Sequence, residues 1–379
     1  MKFPLSKNSF LRKGASALKI TDIQAVDISI SLLHPFKTAL RTVDAVNDVV
    51  VRICTDEGAI GYGEAAPTAV ITGDTRGSIL TAIEDYIRPA LLGMDILDLE
   101  GIMAQLHGCL AHNTTPKAAV DMAVYDLWAK AQGEPLFRLL GGARSSFETD
   151  LTISVNGVDE MVADSLEAIG RGFRILKIKV GKDAKADLDR IAAIRAAVGP
   201  DAELRLDANQ GWTAEEAVRI LTAIEDRELH PALVEQPVPA WDLDGLKFIR
   251  QRVATPILAD ESVFSVHDAR RLLDMGAADM INIKLMKTGG IYKALEICRT
   301  AQEYGAQCMV GCMLESRLSV AAAAHLAAAQ AVVTMADLDG PSLCAQDPYA
   351  GGPSFNGPHI SMTGDIGIGV EGVPCPLWY

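Results

Sequence analysis

Basic residues are in short supply in this chain: 35 lysines and arginines face 49 acids, for a formal net charge of −14. Phosphate backbones and anionic bilayers are held by clustered Lys and Arg, so no nucleic-acid partner and no membrane partner is expected. A small-molecule substrate is untouched by that argument. Also missing is any apolar run of the roughly eighteen residues that a membrane span needs. The Ala-rich stretch Leu318 to Val333 is broken by His325 and Gln330 and reads as a buried helix. Cysteine is thinly spread, at 54, 109, 298, 308, 312, 344 and 375, without a C-x-x-C pair. That excludes a zinc ribbon or dithiol motif and suits reduced thiols in a cytoplasmic protein. Histidine offers no soft-metal site, because the closest pair, His107 and His112, is spaced for neither one helix face nor one strand face. Both are expected at the ordinary surface. The opening stretch MKFPLSKNSFLRKGAS lacks the apolar core of a signal peptide, and residues 1–17 are expected to form a loose extension.

What is present is an ordinary globular composition, 49% hydrophobic and 22% charged, in a chain of 379 residues that exceeds one simple core. Residues alternate as strands do from Leu18 to Ser31 and from Asn47 to Cys54, with Asp56-Glu57-Gly58 turning into Ile60 to Gly63. Helical patterns follow at Gly77 to Leu92 and Lys117 to Gln132, the second stopped by Gly133-Glu134-Pro135. Residues 18–138 are therefore expected to form an α+β capping domain. At Thr149 the rhythm changes. Short, continuously apolar runs alternate with helical segments: Leu151 to Val155, Leu176 to Val180, Glu203 to Asp207, Leu233 to Glu235, Ile257 to Ala259, Met280 to Ile283, Gln307 to Val310 and Val332 to Asp337. Strands buried on both faces and alternating with helices make a parallel sheet, and eight such units predict a (β/α)8 barrel, or its (β/α)7β variant, over residues 139–340. Residues 341–379 are expected to return to the capping domain or cover the barrel.

In a barrel the C-terminal strand ends and the loops after them form the active face. Here they carry Lys177 and Lys179, then Asp207 with Asn209, Glu235, Asp260 with Glu261, Lys284, Glu315, and Asp337 with Asp339, at intervals of 22 to 31 residues from Lys179 onward. Alone, Lys-x-Lys would also suit an edge strand blunted against aggregation, and any one acid a helix cap. Together they suggest more. Asp207, Glu235 and Asp260 end three successive strands and offer the hard oxygen set that Mg2+ takes. Lys179 and Lys284 stand on strands two and six, on opposite sides of the metal, where two amines could address both faces of one planar carbon. That suits a 1,1-proton transfer, with Mg2+ and Lys177 supplying fixed positive charge where a carboxylate gains electrons. Lys177 and the metal should also lower the pKa of a neighbouring lysine base. A Schiff-base lyase on strand-six Lys284 is the rival enzyme reading, a pyridoxal enzyme using Gly289-Gly290 for phosphate is a weaker one, and a non-catalytic binding protein on the same scaffold is the third.

At this point the motifs resemble a known family. KIK at 177–179, LDANQGW at 206–212, VEQPV at 234–238, ADES at 259–262 and KLMKTGG at 284–290 are similar to the muconate-lactonizing subgroup of the enolase superfamily, where lysine with Mg2+ is an established pattern. The mandelate-racemase subgroup, with its late histidine base, fits less well, since the only histidine between Lys284 and Asp337 is His325. Within the subgroup DLDGP resembles the mark of dipeptide epimerases, which implies that Asp337 and Asp339 hold a substrate α-ammonium. PFKTALRTV at 35–43 and PTAVITGD at 67–74 resemble the cap loops of the L-Ala-D/L-Glu epimerase type. The resemblance implies that Arg41 pairs with the side-chain carboxylate of the C-terminal residue, and that Thr152, Cys312, Met313 and Glu315 also meet the substrate. The expected function is thus a Mg2+-dependent dipeptide epimerase acting on murein dipeptides, as a homo-oligomer. Succinylbenzoate synthase, N-acylamino-acid racemase and cycloisomerase are the alternatives inside the superfamily.

Overall fold

The computed structural model describes residues 17–38 and 41–373. Apart from residue 17, the expected N-terminal extension lies outside the described residues, as do Cys375 and the end of the tail. Ile20–Lys37 and Thr42–Thr55 form a long antiparallel hairpin, and Ile60–Ala65 adds a third strand. From sequence the first strand ends at Ser31. It instead continues through a register shift between Ser31 and Phe36, where His34-Pro35 falls, and then pairs Phe36 with Val43 and Lys37 with Thr42. Proline has no N–H for a ladder and is accommodated at such an irregularity. The far end of the hairpin thereby overhangs the barrel: the Lys37 N–H donates to Ser154 Oγ at 3.1 Å, and the Val155 N–H to the Lys37 carbonyl at 3.1 Å.

The expected helix from Gly77 to Leu92 is divided by a π turn, Ala82–Ile87, between Arg76–Thr81 and Arg88–Leu91. Thr75 starts it with a capping box to Ser78. Leu99–Gly108, capped by Asp98, is a helix that periodicity did not single out. Thr114–Gln132 is buried on nearly every side, because it lies between the hairpin sheet and the barrel helices.

The eight barrel strands are Leu151–Ile153, Ile175–Lys179, Glu203–Asp207, Leu233–Glu235, Ile257–Ala259, Met280–Lys284, Gln307–Gly311 and Val333–Asp337. They pair in chain order, all parallel, in one eight-stranded sheet. No ladder joins the eighth strand to the first among the described residues. That seam is closed by separate bonds: the Asp150 N–H to the Ala336 carbonyl at 3.4 Å, the Leu338 N–H to Thr149 Oγ1 at 2.7 Å, and the Thr152 N–H to Asp339 Oδ2 at 2.7 Å. After the barrel, Ser354–Asn356 and His359–Ser361 join Ser146–Glu148 in a small antiparallel sheet. The Ile368 N–H reaches Asp126 Oδ1 of the buried helix at 3.0 Å. One apolar core runs through cap and barrel, and a separate cluster of Leu233, Leu258, Met280 and Met309, with Met335 against it, packs the barrel floor. No helix among the described residues is long and apolar enough to cross a membrane.

Candidate active site

Register decides which side chains meet. Lys179 is level with Asp207, and Asp207 with Glu235, so the three project from neighbouring strands at one height. Asp260 stands two residues beyond Leu258, the ladder partner of Glu235, and therefore faces the same interior. Opposite them Lys284, Gly311 and Asp337 are level. A Cβ at Gly311 would come within 2.7 Å of Asn282 Oδ1 and 3.1 Å of Lys284 Cε, so the lysine needs a glycine beside it.

Ammonium groups are threaded among the acids. Lys177 Nζ lies 2.7 Å from Glu235 Oε2, 2.7 Å from Asp337 Oδ2 and 3.0 Å from Asp207 Oδ2. Lys179 Nζ donates to Asp207 Oδ2 at 2.6 Å and sits 5.9 Å from the centre of the Phe36 ring. Lys284 Nζ donates to Asp260 Oδ2 at 2.8 Å, while Lys287 Nζ is 2.7 Å from Asp260 Oδ1 and donates to the carbonyls of Asn282 at 3.0 Å and Val263 at 3.1 Å. Burial alone would raise the pKa of Asp207 and Asp260, but the lysines outweigh it and hold both well below the usual carboxylate range. Burial, then Asp207, pushes Glu235 up to about 7, and burial with Asp260 pushes Glu261 up to about 8. Lys284 departs from expectation. Burial is the largest single influence and lowers its pKa, yet Asp260, Glu235 and Asp337 together outweigh it and the net shift is upward.

The donor set fits a hard divalent cation. Glu235 Oε2, Asp260 Oδ1, Glu261 Oε2 and Asn209 Oδ1 are buried without a hydrogen bond among the described residues, the first two with only an off-line ammonium nearby. Buried oxygens are rarely left so. The carboxylates with oxygens mutually within 4.8 Å are a different group, Asp150, Asp337 and Asp339. Their oxygens are largely committed, Asp337 to Lys177, Asp339 to Thr152 and Asp150 to Arg205. Asp207, Glu235 and Asp260, with lysines between them, are therefore the better match to a Mg2+ site.

The cleft above is walled by Lys177, Lys179, Lys284, Asp260, Asp337 and Asp339 from the barrel rim, by Thr152, Cys312 and Met313 beside them, and by Phe36, Arg41 and Val70 from the cap. Three expected residues do not line its wall. Glu315 turns inward, accepting from the Met313 N–H at 2.5 Å and from Ser319 Oγ, and burial pushes it up to about 7. Asp207 and Glu235 lie beneath the lysines. Phe36, Val70, Asn282 and Lys287 were not singled out from sequence. Asn282, which donates to Glu235 Oε1 at 2.8 Å, could have been found, because it precedes Lys284 by two on the same strand face.

Other sequence readings end here. The helix after Gly289-Gly290 cannot cradle a phosphate: Asp121 already accepts from the Ile291 and Tyr292 N–H groups at 2.6 and 3.2 Å, and a Cβ at Gly290 would strike its carboxylate at 2.2 Å. His325 is buried with Nδ1 accepting from the Phe137 N–H at 3.0 Å, far from base chemistry. His107 is not an ordinary surface group. It is half-buried and stacked 5.8 Å from Tyr292, and burial, then Lys293 and Lys117, lower it to about 4.

The N-terminal domain description of the mandelate racemase / muconate lactonizing enzymes matches residues 20–141, and the enolase C-terminal domain-like description matches residues 160–373. The chain is 52% identical to an L-Ala-D/L-Glu epimerase of Clostridium acetobutylicum over 93% of this chain and 99% of that protein. It is 41% identical to a hydrophobic dipeptide epimerase of Enterococcus faecalis over 93% of this chain and 100% of that one. Among solved structures, the substrate-liganded L-Ala-D/L-Glu epimerase of Bacillus subtilis superposes with a TM-score of 0.93 at 48% identity, covering 94% of this chain and all of that chain (100%). With both domains matched, and an eight-stranded parallel barrel under an antiparallel cap, the chain belongs to the mandelate racemase / muconate lactonizing enzyme family, within the enolase superfamily.

Proposed function

We propose that the protein is a Mg2+-dependent dipeptide epimerase that inverts the α-carbon of the C-terminal residue, with L-Ala-D/L-Glu from murein peptides as substrate. One observation carries the choice of substrate. The cleft has a half-buried cation at one place, Arg41, whose guanidinium makes no hydrogen bond or ion pair among the described residues, and an acidic pair at another, Asp337 and Asp339. Between them stand two lysines on opposite walls. A dipeptide with a free α-ammonium and an acidic second side chain satisfies both ends, and a guanidinium grips a carboxylate through two parallel N–H bonds. A substrate without the ammonium leaves the acids unmatched, which disfavours the synthase, racemase and cycloisomerase alternatives.

Lys179 and Lys284 are assigned as the two bases. One Nζ removes the α-proton, the C–H electron pair moves toward the carboxylate, and the opposite ammonium delivers a proton to the other face. Lys177, pinned by three acids and 1% exposed, cannot turn to take a proton and serves as fixed positive charge. Asp207, Glu235 and Asp260 would hold Mg2+, which supplies positive charge against the electrons arriving on the substrate carboxylate. The reading includes a cytoplasmic homo-oligomer. The free cysteines among the described residues support the first, and Trp241, 81% exposed, is the kind of group an interface covers. The test is NMR of L-Ala-L-Glu with enzyme and Mg2+ in D2O: the glutamyl α-proton signal is expected to vanish as the epimer appears, and to persist with EDTA. No exchange with Mg2+ present overturns the assignment.

A further inference from the structure

Beneath Asp337 and Asp339 lies a third carboxylate that the proton transfers and the metal ligands leave unused. Asp150 immediately precedes the first barrel strand, is 0% exposed, and brings an oxygen within 4.8 Å of oxygens of Asp337 and Asp339. Its Oδ2 accepts from Arg205 Nη1 at 3.0 Å, and its Oδ1 has no hydrogen-bond partner among the described residues. Packing does not explain the pair. A buried Arg–Asp pair stabilises a fold no better than apolar residues of similar volume, and often less well. Five neighbouring strands fill the barrel floor with Leu233, Leu258, Met280, Met309 and Met335.

Charge explains it. Lys177 bonds Asp337 but is shared with Asp207 and Glu235, and Arg205 bonds Asp150 but is shared with Glu203. At most two cations therefore serve the three acids Asp150, Asp337 and Asp339, none of which is more than 4% exposed. At least one negative charge is left over at the end of the cleft where Asp337 and Asp339 emerge. Without Asp150 the excess of acid over base at this end is smaller by one carboxylate, which weakens its preference for a cation over a hydroxyl or an amide. We propose that Asp150 is a specificity-determining residue that makes this end of the cleft demand a free α-ammonium on the substrate and so rejects N-acylated amino acids. The inference rests on the dipeptide reading. Asp150 acts through Asp337 and Asp339 and is a positioning residue rather than a catalytic one. Burial and then Asp337 raise its pKa, and an ammonium docked on Asp337 and Asp339 would draw it back toward the ionised form.

The test compares kcat/KM for L-Ala-L-Glu with that for (S)-lactoyl-L-Glu, where a hydroxyl replaces the ammonium. The ratio is expected to fall roughly ten- to a hundredfold in Asp150→Asn, mainly through KM for the dipeptide. Arg205→Lys, which disturbs the same buried pair but keeps the charge, is expected to hold the ratio within about threefold. An unchanged ratio in Asp150→Asn, or an equal fall in both variants, overturns the proposal. Should Asp150→Asn not fold, Arg205→Met replaces it: one more net negative charge should widen the ratio, and no widening is equally contrary. Wild-type exchange of the L-Ala-L-Glu α-proton separates the two failures, since its absence defeats the dipeptide reading, whereas its presence with an unmoved ratio defeats only the role of Asp150.

Discussion

The two halves of the barrel interior are built differently. On strands four to eight the inward residues start dry and turn polar only at the rim: Leu233 precedes Glu235, Leu258 precedes Asp260, Met280 lies below Asn282 and Lys284, and Met335 below Asp337. On strands one to three polarity reaches down the barrel, with Asp150 under Thr152, Lys177 under Lys179, and Arg205 level with Lys177 and under Asp207. In the dry half the rim pair Lys284 and Asp260, bonded to each other, stands on an apolar base. The polar half holds its rim groups by charge. That is a costly way to build a core, and its return is a fixed field of one sign where a charged substrate group arrives.

Breaking the rim should have the largest effect. Asp260→Asn removes charge shared by Lys284 and Lys287 and a proposed Mg2+ ligand, and kcat/KM is expected to fall on the order of 10³-fold, with weakened Mg2+ binding by calorimetry. A rim that tolerates this change would leave no distinction between rim and floor. Next comes the cap, which contributes selectivity rather than chemistry. Arg41→Ala should lower kcat/KM for L-Ala-L-Glu roughly 10- to 100-fold, about 1.5–3 kcal/mol, and leave L-Ala-L-Leu nearly unaffected. Equal losses on both substrates would place Arg41 in the common machinery. In the dry floor, Met309→Leu conserves volume and should cost less than about 1.5 kcal/mol in urea unfolding with little change in kcat.

Behind the barrel wall the expected effect is on stability alone and appears only in acid. Buried His325 has its pKa lowered from 6.5 to about 4 by burial, so the folded state binds fewer protons than the unfolded state between those values. Its contribution to stability is complete above pH 6.5 and is lost as pH falls toward 4. Wild type should lose roughly 3 kcal/mol more than His325→Gln over that interval. Equal acid sensitivity would show that the histidine does not govern it.

Which parts of this were legible in the sequence follows from the range of the interactions. Strands Glu203–Asp207, Leu233–Glu235 and Ile257–Ala259 have the limits expected from their apolar runs, because burial on both faces is written into consecutive residues. The lysines and acids at strand ends were legible for the same reason, since repeat spacing fixes their height in the barrel. The first cap strand was misjudged because His34-Pro35 looks like a stop, and only pairing with Thr42–Thr55 carries the strand past it. Asp121 at the tip of the helix after Gly290, and Asp150 on Arg205, were not legible at all, because partners 170 and 55 residues apart leave no local pattern. The seam had the same defect. Asp339 replaces a ladder acceptor for the Thr152 N–H, and nothing in DLDGP announces it.

The division of labour between the polar and dry halves is tested most directly by single-epimer exchange. Lys179→Ala and Lys284→Ala would each be incubated with pure L-Ala-L-Glu and pure L-Ala-D-Glu in D2O with Mg2+, and the glutamyl α-proton followed by NMR. Neither variant should epimerise; each should exchange the α-proton of one epimer only, and the two variants should retain opposite epimers. Full epimerisation by either variant, or retention of the same epimer by both, would contradict the assignment of one base to each wall.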